Sequence, residues 1–487
     1  MAGRCFCFRR ILGMARSWPA KFLAVLSLAI IILSAGPLTA SAGDEVKRGG
    51  KARQRDARLT LQQAVSIAVD RNLRMADSRL AVQEKEHQRR ESFSDFFPSL
   101  SLQYMATWYR YQNAQNIGIL EGTHPSRWVV RGDPPVPPFF LPDYPYRIDP
   151  FRSFTLTATM SQPIFTGGRL LNDYKFAQLG VDYSAIQNEV NTQDLVLDVT
   201  EAYYQLIQAQ KLLEVAEQSI RALEALRNQT REFFKAGVVA KVDVLSTEGQ
   251  LAQARIQRTQ SLTEVARQKA QLAFLLRYPQ ETPIDVVQDI NYRPNAYRIP
   301  EIYATAAANR LEIRQANISV EQAVALVKSS QADLMPAVSL QAQGTRINDD
   351  WNVFDPEGTN DWRIQGLLTW TFDIFRTRET VKERRASQAR TFVAREQLVE
   401  QVMNEVKSAY LDMKRSESDI VDSRAAVAFR GENFRINQER YKEQVATYIE
   451  VLDAQRQLAQ AQGDYYTALI GYRINRAVLE RRLGILR

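Results

Sequence analysis

Two hydrophobic periods alternate along this chain. Leu61, Ala64, Val65, Ala68 and Val69 recur at helical spacing and predict a helix over 61–95. It ends before Pro98, because the residue ahead of a proline is pushed out of the helical region. The period then becomes two. Leu100, Leu102, Tyr104, Ala106 and Trp108 alternate with Ser99, Ser101, Gln103, Met105 and Thr107. The same alternation returns at Phe154, Leu156, Ala158 and Met160, at Val338, Leu340 and Ala342, and at Trp362, Ile364, Gly366, Leu368, Trp370 and Phe372. This predicts four strands of about 9–11 residues, apolar on one face and Ser/Thr/Gln on the other, with Trp near the ends, as in outer-membrane barrels. A soluble sandwich also alternates. Against it stand the small number of strands, their separation into two distant hairpins, the long flanking helices and a polar face that reads as small and uncharged. Four strands cannot close around a channel, and lipid tolerates no open sheet edge. Several chains must contribute: two would give eight strands filled by side chains, three would give twelve and a lumen.

After each second strand the helical period resumes. Gly167-Gly168 marks the first break; without a following Lys-Ser/Thr it reads as a bend, not a phosphate loop. A proline-free helix then runs to about Phe233, on the order of 100 Å long. Leu195, Val199, Ala202, Leu206, Ala209, Leu213, Ala216, Ile220 and Leu223 alternate spacings of 4 and 3, a heptad seam rich in Ala. A more polar line follows Ala409, Met413, Ser416, Ile420, Ser423, Val427 and Phe434. Turns at Gly237 and Gln444 lead into return helices over 243–276 and 450–483.

The chain is written twice. Phe234–Ala254 matches Tyr441–Ala461 at an offset of 207, and Asp95–Leu100 matches Asp333–Val338 at an offset of 238. The difference locates an insertion in the first copy, the loop 112–150, which carries Pro134, Pro135, Pro137, Pro138, Pro142, Pro145 and Pro150. The expected organisation is a first repeat over 59–278 with its tip turn at 234–243, a linker over 279–300, and a second repeat over 301–487 with its tip turn at 441–450.

Composition changes the picture at the N-terminus. Residues 1–42 hold Arg4, Arg9, Arg10, Arg16 and Lys21 with no acid, then an apolar run from Phe22 to Leu33 and Ala40-Ser41-Ala42. That is a secretory signal peptide, too short in its apolar run to span a bilayer as a membrane anchor would. Met14 offers a second start. The formal charge of +8 loses five positive charges with it and falls to +3, so no case for nucleic acid survives. Cys5 and Cys7 leave as well. The basic stretch 43–58 is expected to be a disordered lead-in, with binding to acidic lipid as the sharper reading. Only His87 and His124 are present, and no G-x-S-x-G or H-E-x-x-H pattern occurs. No metal, cofactor or catalytic site is expected.

In this order and duplicated, Leu59-Thr-Leu-Gln-Gln-Ala64 with Asn72-Leu73, Phe97-Pro98-Ser99-Leu100, Gln162-Pro-Ile-Phe-Thr-Gly-Gly-Arg169 and the two turn blocks resemble the TolC-like family of outer-membrane efflux and secretion channels. The resemblance covers 59–485. It implies a mixed membrane protein: a trimeric twelve-stranded transmembrane β-barrel, four strands per chain, continued by a long periplasmic α-helical coiled-coil barrel. It implies a passive exit duct in the outer membrane of a Gram-negative cell, serving tripartite efflux or type I secretion. A periplasmic adaptor and an inner-membrane pump would open it, and the chain is no enzyme. The lipid-facing barrel positions would be Leu100, Leu102, Tyr104, Trp108, Phe154, Leu156, Trp362, Ile364, Leu368 and Trp370. The periplasmic gate would fall on Glu450, Asp453, Tyr441 and Asp243, and adaptor contact on Gly237, Val238, Val239, Ala240, Val445, Ala446 and Thr447.

Three copies of Glu450 and Asp453 would crowd six carboxylates near one axis, drawing cations and titrating at raised pKa. Alternatively these acids merely cap the returning helices. The exposed apolar tip either meets an adaptor or packs between neighbouring hairpins. Where the family's best-known pattern has a gate-locking Arg this chain has Ala446, and Gln444 replaces the turn Gly. The lock is then either weaker or formed by other groups such as Arg440 or Lys442. A soluble periplasmic coiled-coil adaptor is the competing class, but adaptors lack amphipathic strands with outward Trp. A secreted enzyme fails for lack of any catalytic constellation.

Overall fold

The computed structural model describes residues 58–109, 151–292, 294, 297–352, 356 and 358–486. The leader, the lead-in up to residue 57 and the Pro-rich loop 112–150 with His124 lie outside the described residues. The elements are α1 (Leu61–Arg71), α2 (Leu73–Ser94), β1 (Ser99–Tyr109), β2 (Phe151–Phe165), α3 (Arg169–Lys235) and α4 (Lys241–Leu276). There follow α5 (Ile299–Asn309), α6 (Leu311–Ala332), β3 (Ala337–Asn348), β4 (Thr359–Thr369), α7 (Ile374–Lys442) and α8 (Tyr448–Arg482).

The single helix expected over 61–95 is two helices. Asn72 adopts ψ 136°, ends α1 and caps α2, its side chain accepting from Arg74 N at 2.9 Å. Its amide Nδ2 also donates to the carbonyl of Leu275 at 3.0 Å, so the end of α4 abuts the start of α2. The same happens in the second half, where α5 breaks into α6 at Arg310 and α8 ends beside it.

All four strands join one antiparallel sheet in the order β1-β2-β3-β4. The register lines up Leu100–Met160–Ala342–Ile364 and Leu102–Ala158–Gly344–Trp362 on one face. Ser101–Thr159–Gln343–Arg363 forms a row on the other. Arg363 brings a charge to the face expected to carry none, with its Nε 2.9 Å from Gln343 Oε1. On the apolar face Leu102, Trp108 and Leu368 stand 63–70% exposed. Phe154 is buried under the rings of Tyr104 and Trp108. β2 runs four residues past Ser161 and takes Pro163 at a register break, where a missing ladder donor is tolerated. Trp370 lies just beyond β4, its indole N–H donating to Leu334 O at 3.2 Å.

The bend ahead of α3 needs glycine. Gly167 has φ +64°, and a Cβ there would sit 2.7 Å from the Ala332 carbonyl oxygen. α3 packs on α2, α4, α6 and α8, and α7 packs on α6 and α8. Leu195, Val199, Ala202, Leu206, Ala209, Ala216 and Leu223 are buried on the expected seam. On α7 burial holds from Val402 to Ile420 and then stops until Tyr441. Among the described residues no helix is long and apolar enough to cross a membrane.

Candidate functional site: two hairpin tips and a buried ion chain

α3 and α4 form one hairpin, α7 and α8 the other. In the first, Gly237 takes φ +74°, and Val238 N donates to Phe233 O at 2.9 Å, closing the end of α3. In the second, Gln444 takes φ +63° with Val445 N on Arg440 O at 2.8 Å. Both are left-handed helix ends that expose a following valine: Val238 is 48% exposed and Val445 68%. Val239 and Ala446 are half-buried, and Ala240 and Thr447 exposed.

Tyr441 is buried against Leu226 and Val451. Its ring meets Phe233 edge-on at 5.5 Å, and its hydroxyl lies 3.0 Å from Thr230 Oγ1. Tyr441 thus ties the end of α7 to α3 of the other hairpin within one chain. Burial pushes its phenol above the ordinary value, against the hydrogen bond with Thr230.

Glu450 caps its own helix. Its carboxylate accepts from Thr447 N at 3.2 Å and from Thr447 Oγ1 at 3.1 Å. Arg440 Nη1 lies 3.5 Å away. The Thr447 backbone and hydroxyl bonds, with Arg440 beside them, hold this carboxyl below the usual carboxylate range. Within one chain the shift is therefore opposite in direction to that expected from a crowded ring. Asp453 pairs with Arg456 one turn on and accepts from Gln457. Asp243 accepts from Ala240 N at 3.2 Å at the start of α4. Glu450, Arg440 and Tyr441 come together on the second tip, and Asp243, at the start of α4 on the first, lies close enough for its charge to act on the Tyr441 phenol. Lys442 pairs with Glu439 rather than with Glu450 or Asp453.

A second constellation lies where the start of α6 and the end of α8 meet α2, α3 and α7. Arg482 Nη1 donates to Glu405 Oε2 at 2.8 Å, and Arg310 Nη2 donates to the same oxygen at 3.1 Å. Arg310 Nε lies 3.0 Å from Glu312 Oε2. Arg481 donates to Glu312 Oε1 and Asp194 Oδ1, both at 2.8 Å. Arg74 reaches Asp194 and Asp198 at 3.4 Å. The chain of ions runs Arg482–Glu405–Arg310–Glu312–Arg481–Asp194–Arg74–Asp198 and joins α7, α6, α8, α3 and α2. Arg310 and Arg481 are about 95% buried. Burial opposes the Glu312 charge, but Arg310 and the hydrogen bond from Arg481 outweigh it and hold the carboxyl below its ordinary value. Sequence reasoning missed this cluster because bonded partners in it sit up to 287 positions apart. Two arginines at the end of an otherwise seam-like helix were the available signal.

Among the described residues no group of His, Cys, Asp and Glu is placed to hold a metal. Two long helical hairpins joined to one small antiparallel sheet make up a fold shared with solved outer-membrane channels. The family model for outer membrane efflux proteins matches residues 64–276 and 302–484, and the chain belongs to that family. Nodulation protein T of Rhizobium leguminosarum bv. viciae is 24% identical over 330 residues, 65% of this chain and 66% of that one. The toluene efflux pump outer membrane protein TtgF of Pseudomonas putida is 24% identical over 340 residues, 68% of each. The aligned stretch thus spans about two thirds of the length of these relatives. The outer-membrane channel OprN has the same fold, with a TM-score of 0.71 at 20% identity over 87% of this chain and 89% of that one.

Proposed function

We propose that this chain forms the outer-membrane exit channel of a tripartite efflux or type I secretion system, with three copies closing a twelve-stranded barrel. The observation that carries it is the sheet. One face is apolar and exposed, the other carries Ser, Thr and Gln, and among the described residues strands β1 and β4 have no neighbour on their outer sides. An exposed apolar face belongs against lipid, and a free edge in lipid must be paired. A second copy beside each edge satisfies both. Three copies give twelve strands and a lumen walled by the polar face.

The helices continue as a tunnel below the membrane. Glu450 and Asp453 gather near the axis at its far end, where Tyr441 and Thr230 keep the second hairpin against the first. An adaptor engages the exposed tips, and an inner-membrane pump supplies the energy, the duct itself being passive. The two repeats, 59–278 and 301–487, each contribute one hairpin to the tunnel and one β-hairpin to the barrel.

Single-channel recording tests this reading. Detergent-extracted protein in a planar bilayer is expected to give small, cation-selective openings that a divalent cation blocks. Glu450→Gln with Asp453→Asn should enlarge the conductance and weaken the cation preference. Openings unchanged in the double variant would leave the acids as helix caps. A protein that stays soluble without detergent and never inserts would overturn the channel.

A further inference from the structure

We infer that the buried ion chain around Arg310 and Arg481 is the fixed upper anchor of a lever formed by α7 and α8, and that it sets how far the tip opens at rest. This rests on the gate reading above.

The two halves of the chain build the same joint differently. At positions 238 apart, Asn72 and Arg310 do the same job. Asn72 Nδ2 donates to the last-turn carbonyl of α4, Leu275 O at 3.0 Å, and Arg310 Nη1 donates to the last-turn carbonyl of α8, Arg481 O at 3.0 Å. The first half makes this joint with the neutral Asn72 amide and an exposed Arg277 that reaches Arg71 O at 3.4 Å. The second places a nearly fully buried guanidinium there and surrounds it with Glu312, Glu405 and Arg481. A buried charge is costly unless it is paired, and once paired it resists any movement that would unpair it. The charged joint stands at the top of the hairpin that carries Glu450 and Asp453.

Below the joint α7 is the lightly held member of that hairpin, while α8 still buries Val451, Ala454 and Ala461. α7 buries no side chain between Ile420 and Tyr441. Across to α3, the contacts of α8 include small polar bonds, Gln455 Nε2 to Ser219 Oγ at 2.6 Å and Gln208 Nε2 to Thr467 Oγ1 at 3.1 Å. Gly463 allows Leu212 close to the α8 backbone. The hairpin is therefore held against α3 by the ion chain above, by these bonds along α8 and by the Tyr441–Thr230 contact at the tip. An opening tip releases the lower fastening. The upper one then decides whether α7 and α8 pivot about a fixed point or slide as a whole. Because Glu405 bridges Arg310 and Arg482, and Arg481 bridges Glu312 and Asp194, sliding of either helix breaks charge pairs on several others at once.

The test places the first-half residue in the second-half joint. Arg310→Asn in the full chain should leave the oligomer intact on a gel and raise the time-averaged resting conductance on the order of tenfold, as a loosened two-state equilibrium would. Glu405→Gln, which removes one charge and keeps the shape, should act in the same direction with a smaller effect and serves if Arg310→Asn does not assemble. Asn72→Ala in the neutral joint should leave resting conductance near wild type. If both second-half variants lower the melting temperature but conduct as wild type, while Glu450→Gln with Asp453→Asn changes conductance, the gate stands and the ion chain is only a brace. If the acid variant is silent too, the gate reading and the lever fall together.

Discussion

Gln444 holds a backbone conformation that its position inherits and its side chain resists. The matching turn residue in the other hairpin is Gly237, at φ +74°, while Gln444 sits at φ +63°. The left-handed region costs a residue with a Cβ about 1–2 kcal/mol, and glycine's freedom in the unfolded chain returns about 0.5–1 of that. Gln444→Gly is therefore expected to stabilise the tip by about 0.5–1 kcal/mol, read as a small rise in melting temperature with no change in oligomer. A fall would mean that the Gln444 side chain makes a stabilising contact with a neighbouring copy. The same residue bears on the lock. With Ala446 where the family pattern has Arg, Arg440 takes the place beside Glu450, at 3.5 Å and half-exposed. An exposed pair of this kind contributes about 0–1 kcal/mol. The buried Tyr441 contact is then the stronger of the two ties at this tip.

At the scale of elements, each hairpin ends in an apolar cap that no described residue of the chain covers. Val238 and Val445 in the turns, with Val242, Leu245 and Ile449 at the starts of the return helices, stand 48–68% exposed. Val238→Glu is expected to abolish co-purification with the adaptor while the channel still runs as an assembled oligomer. Loss of the oligomer instead would assign the cap to packing between hairpins. These turns were legible because Gly237 is bracketed by heptad seams and because the block Phe234–Ala254 recurs 207 residues later. The long helices were legible for a related reason: Leu195, Val199, Ala202 and Leu206 keep one stripe for many turns, and no proline interrupts them. The break at Asn72 was not. No proline or glycine marks it, and the apolar stripe passes through from Ala68 to Met75. Its local mark is the Asn72 cap on Arg74 N, which the continuous apolar stripe masks, and a tertiary bond to Leu275, some 200 residues on, adds to it where no local pattern could. The ion chain was hidden for the same reason, since Asp194, Arg310, Glu405 and Arg481 each look like an ordinary charge on a helix until the fold brings them together.

For the whole molecule the decisive question is what lies beside β1 and β4, and the chain is well made for asking it. Cys5 and Cys7 are its only cysteines, and both belong to the expected leader, so introduced cysteines would be the only thiols in the mature protein. Leu102 on β1 and Trp362, Ile364 and Gly366 on β4 share the apolar face. Within one chain β2 and β3 separate the two edges, a distance of about 14 Å at the usual strand spacing, whereas a disulfide needs Cα atoms within about 7 Å. An oxidised bond between Cys at 102 and Cys at 362, 364 or 366 must therefore join different copies. Leu102→Cys combined with each of the three β4 substitutions in turn brackets the register that a tilted barrel would adopt. At least one pair is expected to give a reducible ladder of one, two and three chains that stops at three, while each single-cysteine control stays at one. A ladder stopping at two would mean an eight-stranded barrel too narrow to leave a lumen, and one running past three would mean an open row of sheets. No ladder with any of the three would mean that the two edges never meet, and the exposed apolar face would then need a different covering.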